Sequence, residues 1–192
     1  QSNFDPALLS TSIPRRTVFL AKRDAFKPPI VSWFLRSYGA FPLDRGRADI
    51  RAYRWALDQL ERDQALVLFP EGTRTSGGMR RALTGVARLA LRSQAPLLPV
   101  GITGTEPLQG VVRLFKPTGE IRMNIGSVFS IPSIDGSLSK EVLGSLTDMI
   151  MQRVAALLPP SYQGVYRPKP REAAAGPPVS GHGVENGGPP LP

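Results

Sequence analysis

Hydrophobic and polar positions follow two different periods along this chain, which predict strands and helices in turn. Short apolar or β-branched runs predict strands at 17–21, 65–69, 97–102, 111–115 and 120–131. An apolar run after two prolines predicts a short helix at 30–38, and helical spacing of apolar positions predicts helices at 47–63, 84–93 and 138–158. Because strands and helices alternate, we expect an α/β fold with a mixed, largely parallel sheet flanked by helices.

The end of the chain differs in composition from the rest. Residues 159–192 contain nine of the 20 prolines and six of the 19 glycines, and no regular period continues there. We therefore expect one domain at 1–158 and a disordered Pro/Gly-rich tail at 159–192. The single histidine, His182, falls in this tail, where it is not held near a reacting proton as a general base must be.

Composition excludes some classes of site and favours one class of partner. The chain has no cysteine, which excludes a disulfide framework and a cysteine nucleophile among these residues. Its 24 Lys and Arg residues against 15 Asp and Glu give a formal charge of +9. That charge indicates either an anionic partner or an ordinary solvated basic surface. We expect no nucleic-acid partner, because no RNA or DNA signature is present and the aromatic residues fall in apolar runs.

One loop carries most of the candidate chemistry. Residues 69–78, with the sequence FPEGTRTSGG, follow the strand predicted at 65–69. In open α/β sheets, ligands bind at the carboxyl ends of the strands, and this loop lies at such an end. The loop is not a P-loop, because it lacks the glycine and lysine spacing of that motif.

The side chains of this loop suit a phosphate monoester. Gly72 permits close approach of a ligand, Thr73 supplies a hydroxyl, and Arg74 supplies a planar guanidinium. Glu71 needs a partner at the end of an apolar strand, and either Arg74 or Arg45 is a candidate. The alternative is an ordinary polar loop between a strand and a helix.

Three ordered motifs resemble those of the glycerophospholipid acyltransferase family. FPEGTR at 69–74 resembles the third signature block, GAFPLDR at 39–45 the second, and LLPVGI at 97–102 the fourth. The order and approximate spacing of the blocks also match, and the resemblance covers the chain from its start to the strand that ends at 131. It implies a glycerolipid acyltransferase-like fold and the family's reaction.

The first block of the family is N-H-x-x-x-x-D, of which Asp5 matches the aspartate. The resemblance implies that the Asn and the His lie just upstream of Gln1, with the histidine as general base and Asp5 orienting it. The alternative is that Asp5 marks only a helix start or a turn. Since the motif histidine is missing from these residues, we expect the chain as given to be inactive.

The resemblance implies transfer of a fatty acyl group from acyl-CoA or acyl carrier protein to the free hydroxyl of 1-acyl-sn-glycerol-3-phosphate, which gives phosphatidic acid. It implies no metal and no cofactor. Arg45 and Arg74 would clamp the phosphate, and the strand of Pro99 would line the acyl side. The substrate-binding residues implied in this way are Arg45, Glu71, Gly72, Thr73, Arg74 and Pro99.

Two alternatives stay open at this point. The acceptor can instead be glycerol-3-phosphate or another lysophospholipid, because the motifs specify the chemistry more closely than the second substituent. The chain can also be a non-catalytic lipid-binding homologue that has lost its histidine.

The acceptor is amphiphilic, so the site has to reach a bilayer, and we expect a peripheral protein at the cytoplasmic face of the cell membrane. A cluster of basic and aromatic residues predicts the face that binds an anionic membrane surface. The alternative is that the aromatic residues are core residues beside solvated charges. The cluster comprises Arg15, Arg16, Lys22, Arg23 and Lys27, with Phe19, Phe26, Trp33 and Phe34.

Overall fold

Strands and α-helices alternate along the part of the chain that the computed structural model describes, which is residues 5–45, 48–72, 78–105, 120–134, 136 and 138–168. The strands are β1 (Thr17–Lys22), β2 (Ala40–Leu43), β3 (Ala65–Val67), β4 (Val100–Thr103) and β5 (Arg122–Ile125). The α-helices are α1 (Asp5–Ser12), α2 (Pro29–Ser37), α3 (Ile50–Glu61), α4 (Gly85–Ser93) and α5 (Lys140–Ala155). Short 3₁₀ helices lie at Arg23–Phe26 and Gly164–Tyr166.

The first sheet is a parallel sheet of three strands in the order β2-β1-β3. Phe19 of β1 is in register with Ala40 of β2 on one side and with Val67 of β3 on the other. Val18 and Phe19 are both buried, as expected for a central parallel strand covered on both faces. The predicted α/β class, with a largely parallel sheet flanked by helices, is confirmed.

The order of the strands determines where ligands approach this sheet. The chain passes from β1 to β2 through α2, and then returns across β1 to β3 through α3. Because parallel crossovers are right-handed, this reversal places α2 and α3 on opposite faces of the sheet. The helix after β3, α4, packs on α3. The loops that leave β1 and β3 therefore diverge, and the crevice between them is the usual ligand site of open α/β sheets.

The second sheet is an antiparallel pair of β4 and β5, in which Val100 is opposite Ile125. The turn composition of residues 116–119 favours pairing of the runs at 111–115 and 120–131, for which the sequence predicts strands. Residues 111–119 lie outside the described part of the chain. Among the described residues, β5 pairs with β4, which is more distant in the chain. A local turn pattern gives no signal for such a pairing.

The main core lies between α4 and α5. Ala87 of α4 is fully buried, and Leu143 and Ile150 of α5 belong to the same apolar cluster. On α3 the buried residues are Ala52 and Ala56, and small residues of this kind allow close approach of neighbouring elements. The helical periods predicted for these three helices are confirmed.

The apolar face predicted for α3 is buried only in part. The helical spacing of Ile50, Tyr53, Leu57 and Leu60 predicts this face. The last three of these side chains are half-buried, whereas Ile50 is 62% exposed. Ile50 is the first residue of the helix, directly after its N-cap, and lies beyond the packed surface. The contact with the core is therefore centred on alanine rather than on the larger side chains.

Residues 159–168 continue the packed domain beyond the boundary predicted at 158. The N–H of Met79 donates to the carbonyl oxygen of Tyr162 at 2.8 Å, and the N–H of Val165 donates to the carbonyl oxygen of Met79 at 3.0 Å. Tyr166 is buried, and its hydroxyl accepts a hydrogen bond from the N–H of Ala82 at 2.9 Å. The packed domain thus continues past residue 158, and the predicted tail begins later in the chain than position 159. The remainder, including His182, lies outside the described residues, and its disorder stays a prediction.

Tyr166→Phe is expected to lower the free energy of unfolding by about 1–2 kcal/mol, because the partly buried N–H of Ala82 loses its acceptor. Tyr53→Phe is the matched control, since its exposed hydroxyl reaches the carbonyl oxygen of Arg88 only at 3.5 Å. The control is expected to change stability by less than about 0.5 kcal/mol. Urea unfolding measures both variants, and equal effects would contradict a role for the Tyr166 hydroxyl in holding the C-terminal segment.

Candidate active site

A tight turn follows β3 and is formed by the Phe-Pro-Glu-Gly part of the loop. The N–H of Gly72 donates to the carbonyl oxygen of Phe69 at 3.0 Å, and Gly72 has a left-handed backbone with a φ of +68°. The N–H of Leu83 donates to the carbonyl oxygen of Pro70 at 2.9 Å, which joins the turn to the segment before α4. Glycine suits this position because residues with a Cβ atom rarely adopt a positive φ.

The Glu71 carboxylate holds the same loop through a second backbone contact. Its Oε2 accepts a hydrogen bond from the N–H of Arg80 at 2.9 Å. The sequence predicted a guanidinium partner for Glu71, either Arg74 or Arg45. Arg74 lies outside the described residues, while Arg45 approaches the loop at a different atom, described next. Glu71 therefore fixes the path of the chain as it returns toward α4.

Arg45 connects the end of β2 to the turn after β3. Its Nη1 donates a hydrogen bond to the carbonyl oxygen of Gly72. Since β1 lies between these two strands, their carboxyl ends are about 10 Å apart, twice the spacing of neighbouring strands. The Arg45 side chain must therefore extend across the end of β1. This places its guanidinium at the crevice between β1 and β3, at the edge of the sheet where the sequence predicted the site.

Asp49 closes the loop that carries Arg45. Its carboxylate accepts hydrogen bonds from the N–H groups of Asp44 and Ala52, both at 3.0 Å, so it ends the turn after β2 and also caps α3. Arg23 donates to the same carboxylate at 3.4 Å. The side chain is only 6% exposed. The N–H of Asp44 and then that of Ala52 hold the pKa of the Asp49 carboxyl below its ordinary value.

Sequence reasoning missed Asp49, although one signal for it was present. Asp49 directly precedes the apolar period of α3, where an N-cap residue is preferred. The predicted helix began at 47 and passed over this position. The second hydrogen bond, to the turn after β2, depends on the folded path of the loop and has no signal in the sequence.

Three of the predicted site residues lie wholly or partly outside the part of the chain that the structure describes. α1 begins at Asp5, but the side chain of Asp5 is not among the described residues, and neither are Thr73 and Arg74. The convergence of Asp5, Arg45 and Arg74 on one cleft therefore stays a prediction. What the structure brings together is Arg45 and the turn that contains Glu71 and Gly72.

Pro99 lies on the second sheet rather than at the end of the first. It is buried between the Leu97–Phe129 bridge and β4, and its carbonyl oxygen accepts a hydrogen bond from the N–H of Gly126 at 3.0 Å. Pro99 thus lies between an isolated bridge and the start of the β4–β5 ladder, a position that suits a residue without an N–H donor. Its role on the acyl side of the site stays a prediction.

The cluster predicted to form one membrane face is divided in the structure. Phe19 is buried in the sheet, and Arg15 precedes β1 whereas Lys22 ends it. A strand of six residues is about 20 Å long, so these basic groups lie at opposite ends of the sheet. Phe19 therefore belongs to the core, as the alternative interpretation of the cluster proposed, whereas Trp33 and Phe34 are exposed on α2. Within the described ranges, no helix is long and apolar enough to cross a bilayer.

The family model described as Acyltransferase matches residues 1–103, which are more than half of the 192 residues. The chain belongs to the acyltransferase family. The matched range contains Asp5, Arg45, the turn after β3 and Pro99. The resemblance that rested on three short motifs is thereby confirmed at the level of the family.

Proteins named 1-acyl-sn-glycerol-3-phosphate acyltransferase are similar over most of this acyltransferase chain. The protein of Streptococcus pneumoniae is 29% identical over 133 residues, which are 68% of this chain and 48% of that protein. The protein of Bacillus subtilis is 29% identical over 145 residues, which are 76% of this chain and 70% of that protein. The chain thus spans about half the length of the first of these relatives.

A solved acyltransferase structure has a similar fold. The crystal structure of the 1-acyl-sn-glycerophosphate acyltransferase of Thermotoga maritima matches with a TM-score of 0.56 and 25% identity. The match covers 82% of this chain and 61% of that chain. The similarity therefore extends well beyond the motifs to the α/β architecture that carries them.

Gly72→Ala is expected to lower the free energy of unfolding by about 1–2 kcal/mol, because alanine is strained in the left-handed region. The added methyl group would also lie 3.1 Å from Cδ1 of Leu83. Gly85→Ala is the matched control, since no atom lies within 4 Å of its added methyl group at the start of α4. Urea unfolding of both variants measures the difference. A Gly72→Ala protein as stable as the control would contradict the strained turn.

Asp49→Asn is expected to make the fold less sensitive to acid. Because the folded pKa of Asp49 lies below the unfolded value near 3.9, its carboxylate stabilises the fold fully above that value. This stabilisation is lost as the pH falls through the lower folded pKa. Asn keeps an oxygen for the cap but does not titrate, so the unfolding free energy should fall less steeply below about pH 4.

The measurement for Asp49 is a series of urea unfolding curves across the acid range. Asp58→Asn is the control, because Asp58 is a more exposed carboxylate paired with Arg62 on the surface of α3. The slope for Asp49→Asn should be shallower than the slope for this control. If Asp49→Asn gave the same slope as the control, the hydrogen bonds from Asp44 and Ala52 would not favour the ionised carboxylate.

Proposed function

We propose that this chain provides the acyl-transfer domain of a 1-acyl-sn-glycerol-3-phosphate acyltransferase, which moves a fatty acyl group to the free hydroxyl and gives phosphatidic acid. The observation that carries the proposal is the contact of Arg45 with the turn after β3, at the carboxyl end of a parallel sheet in a member of the acyltransferase family. The names of the relatives from Streptococcus pneumoniae and Bacillus subtilis support the same acceptor.

In this proposal, Arg45 binds the phosphate of the acceptor. A guanidinium presents five N–H donors in one plane, which suits the paired oxygens of a phosphate. One of these donors is directed to the carbonyl oxygen of Gly72, which fixes the orientation of the plane. Arg74 follows Gly72 by two positions and is proposed to bind the same phosphate, with the Thr73 hydroxyl beside it. Holding the phosphate in this way also aims the acceptor hydroxyl.

The proposed reaction transfers the acyl group directly between the two substrates. A histidine removes the proton of the acceptor hydroxyl as the oxygen attacks the thioester carbonyl, the C–S bond then breaks, and the thiol leaves with a proton. The histidine proposed is that of the family motif, five positions before Asp5 and so directly before residue 1. Asp5 is proposed to hold the imidazole in the tautomer that accepts the proton and to stabilise the charged ring. A base of this kind contributes about 10²–10⁴-fold in rate.

The remaining predicted site residues are proposed to shape the pocket. Glu71 and Gly72 set the path of the loop around the phosphate through their backbone contacts. The strand of Pro99 is proposed to line the side that receives the acyl chain. Acyl-CoA or acyl carrier protein is the proposed donor, and no metal or organic cofactor is proposed, since attack of a hydroxyl on a thioester requires a base and aligned substrates.

Another lysolipid is the alternative acceptor within the same class of reaction. The lyso-ornithine lipid O-acyltransferase of Pseudomonas aeruginosa is 33% identical over 87 residues, which are 44% of this chain. Its name specifies an acceptor with a different headgroup, so the shared sequence supports acylation of a lysolipid hydroxyl more broadly. Because the acceptor is a lipid in either case, we propose that the protein works peripherally at the cytoplasmic face of the cell membrane.

The substitution Arg45→Lys tests whether Arg45 binds the phosphate of the acceptor. It is made in a chain to which an Asn-His pair has been added directly before Gln1. The substitution should lower kcat/KM for lysophosphatidate by about 10–100-fold, because lysine lacks the paired donors that phosphate requires. Arg54→Lys, at an exposed position of α3, is the matched control and should stay within about twofold. Consumption of the acyl thioester is the measured quantity.

Two outcomes would contradict parts of this proposal. Unchanged kcat/KM in Arg45→Lys would show that Arg45 does not bind the acceptor. If the chain with the Asn-His pair consumed no thioester with lysophosphatidate, glycerol-3-phosphate or another lysophospholipid, the non-catalytic homologue would be the better account. Replacement of the added histidine by alanine is the control for the base, and acyl-CoA and acyl carrier protein are compared as donors.

A further inference from the structure

The outward face of α2 is apolar and exposed. Ile30 is 80% exposed, Trp33 is 71% exposed and Phe34 is 57% exposed, and none of the residues of this helix is buried. Residues three and four positions apart share one face of a helix, so these side chains form a single patch. A contiguous patch of this kind on a protein surface marks a site that another apolar phase or partner covers.

A basic cavity of about 460 Å³ lies beside this patch. Its walls come from the 3₁₀ helix after β1, from the last turn of α2, from β2 and from the start of α3. The charged residues of its lining are Arg23, Asp24, Lys27, Arg36, Asp49 and Arg51. Four cations against two carboxylates leave a formal charge of +2 in the cavity.

Both carboxylates of the cavity already have hydrogen-bond or ion-pair partners within the protein. Asp24 pairs with Lys22 at 2.8 Å and with Lys27 at 3.0 Å, and hydrogen bonds from these lysines lower its pKa to about 2. Asp49 accepts the backbone N–H groups that close the loop of Arg45. Both carboxylates are therefore ionised near neutral pH, and the excess positive charge is a permanent feature of the cavity.

Arg36 and Arg51 contribute the charge that these acids do not neutralise. The guanidinium of Arg36 lies 5.5 Å from the centre of the Phe26 ring, and its Nε donates to the Ser32 hydroxyl at 3.4 Å. Within the part of the chain that the structure describes, neither arginine forms an ion pair. Guanidinium groups in such a cavity suit the oxygens of a phosphate.

Arg36 links the cavity to the apolar patch. It follows Trp33 by three positions, so the two side chains are neighbours about one helical turn apart on α2. An amphipathic surface helix enters a bilayer to the boundary between headgroups and acyl chains. If the patch of Ile30, Trp33 and Phe34 lies at this depth, the cavity lies at the level of the lipid phosphates.

We propose that α2 inserts its apolar face into an anionic bilayer and that Arg36 and Arg51 bind the phosphate of a phospholipid in the same leaflet. This inference rests on the proposed function, because it supplies the surface through which a lipid acceptor reaches the crevice between β1 and β3. The headgroup bound in the cavity is separate from the acceptor that Arg45 binds. The docked lipid fixes the carboxyl end of the sheet against the membrane.

Tryptophan fluorescence with lipid vesicles tests the insertion of α2 in the full chain. The Trp55→Phe variant keeps an aromatic ring opposite Phe41 and leaves Trp33 as the only tryptophan of the chain. Vesicles of phosphatidylcholine with phosphatidylglycerol should shift the Trp33 emission to shorter wavelength, and brominated acyl chains should quench it. An emission spectrum that does not change with these vesicles would overturn the proposal.

Vesicle co-sedimentation tests the cavity. Arg36→Gln combined with Arg51→Gln should weaken binding to the same vesicles by about 30-fold, the effect of two basic residues at an anionic surface. Arg88→Gln combined with Arg92→Gln removes the same charge from exposed positions of α4 and should weaken binding less than about threefold. Equal losses in the two double variants would show that only net charge matters and would overturn the headgroup site. Equally tight binding to pure phosphatidylcholine would also overturn it.

The apolar patch has its own matched pair of variants. Trp33→Ser combined with Phe34→Ser should weaken vesicle binding by about tenfold or more, because two large side chains no longer leave water. Val128→Ser combined with Val165→Ser alters exposed apolar residues outside α2 and should have little effect. Vesicle binding without thioester turnover in the chain with the Asn-His pair would contradict the proposed function alone. Turnover of a short-chain soluble acceptor without vesicle binding would contradict this inference alone.

Discussion

The contact between the Arg45 guanidinium and the carbonyl oxygen of Gly72 is the interaction on which the candidate site depends. It joins the loop after β2 to the loop after β3 across the end of the central strand, so two segments remote in the chain share one position. The strand order β2-β1-β3 makes this possible, because all three parallel strands end at the same edge of the sheet. A long, planar side chain is needed to cover the distance, which explains why arginine suits this position.

Both loops are held by carboxylates that accept backbone N–H groups. Asp49 binds the N–H of Asp44 and that of Ala52, while Glu71 binds the N–H of Arg80. These bonds fix the backbone on each side of the contact, so the guanidinium is oriented before a ligand arrives. Such preorganisation increases the fraction of binding energy available for aligning a substrate.

The sequence predicted the features that depend on local pattern. Apolar runs identified β1 and β3, helical periods identified α4 and α5, and three short motifs identified the family. It missed features that depend on distant contacts. The strand β5 pairs with β4 rather than with a close neighbour, and Tyr166 packs on Ala82 although its segment has the proline and glycine content of a disordered tail. The motifs indicated that Arg45 and Gly72 serve one site, but their direct hydrogen bond required the folded sheet.

The most direct test of the account is an arginine-selective ¹⁵N NMR titration with a short-chain lysophosphatidate. The Nε–H resonance of Arg45, assigned by its loss in Arg45→Lys, reports on the guanidinium that crosses the end of β1. We expect this resonance to shift and saturate as the ligand is added, since the phosphate meets the same plane that binds Gly72. A resonance of Arg45 that stays in place while those of other arginines shift would contradict the central claim.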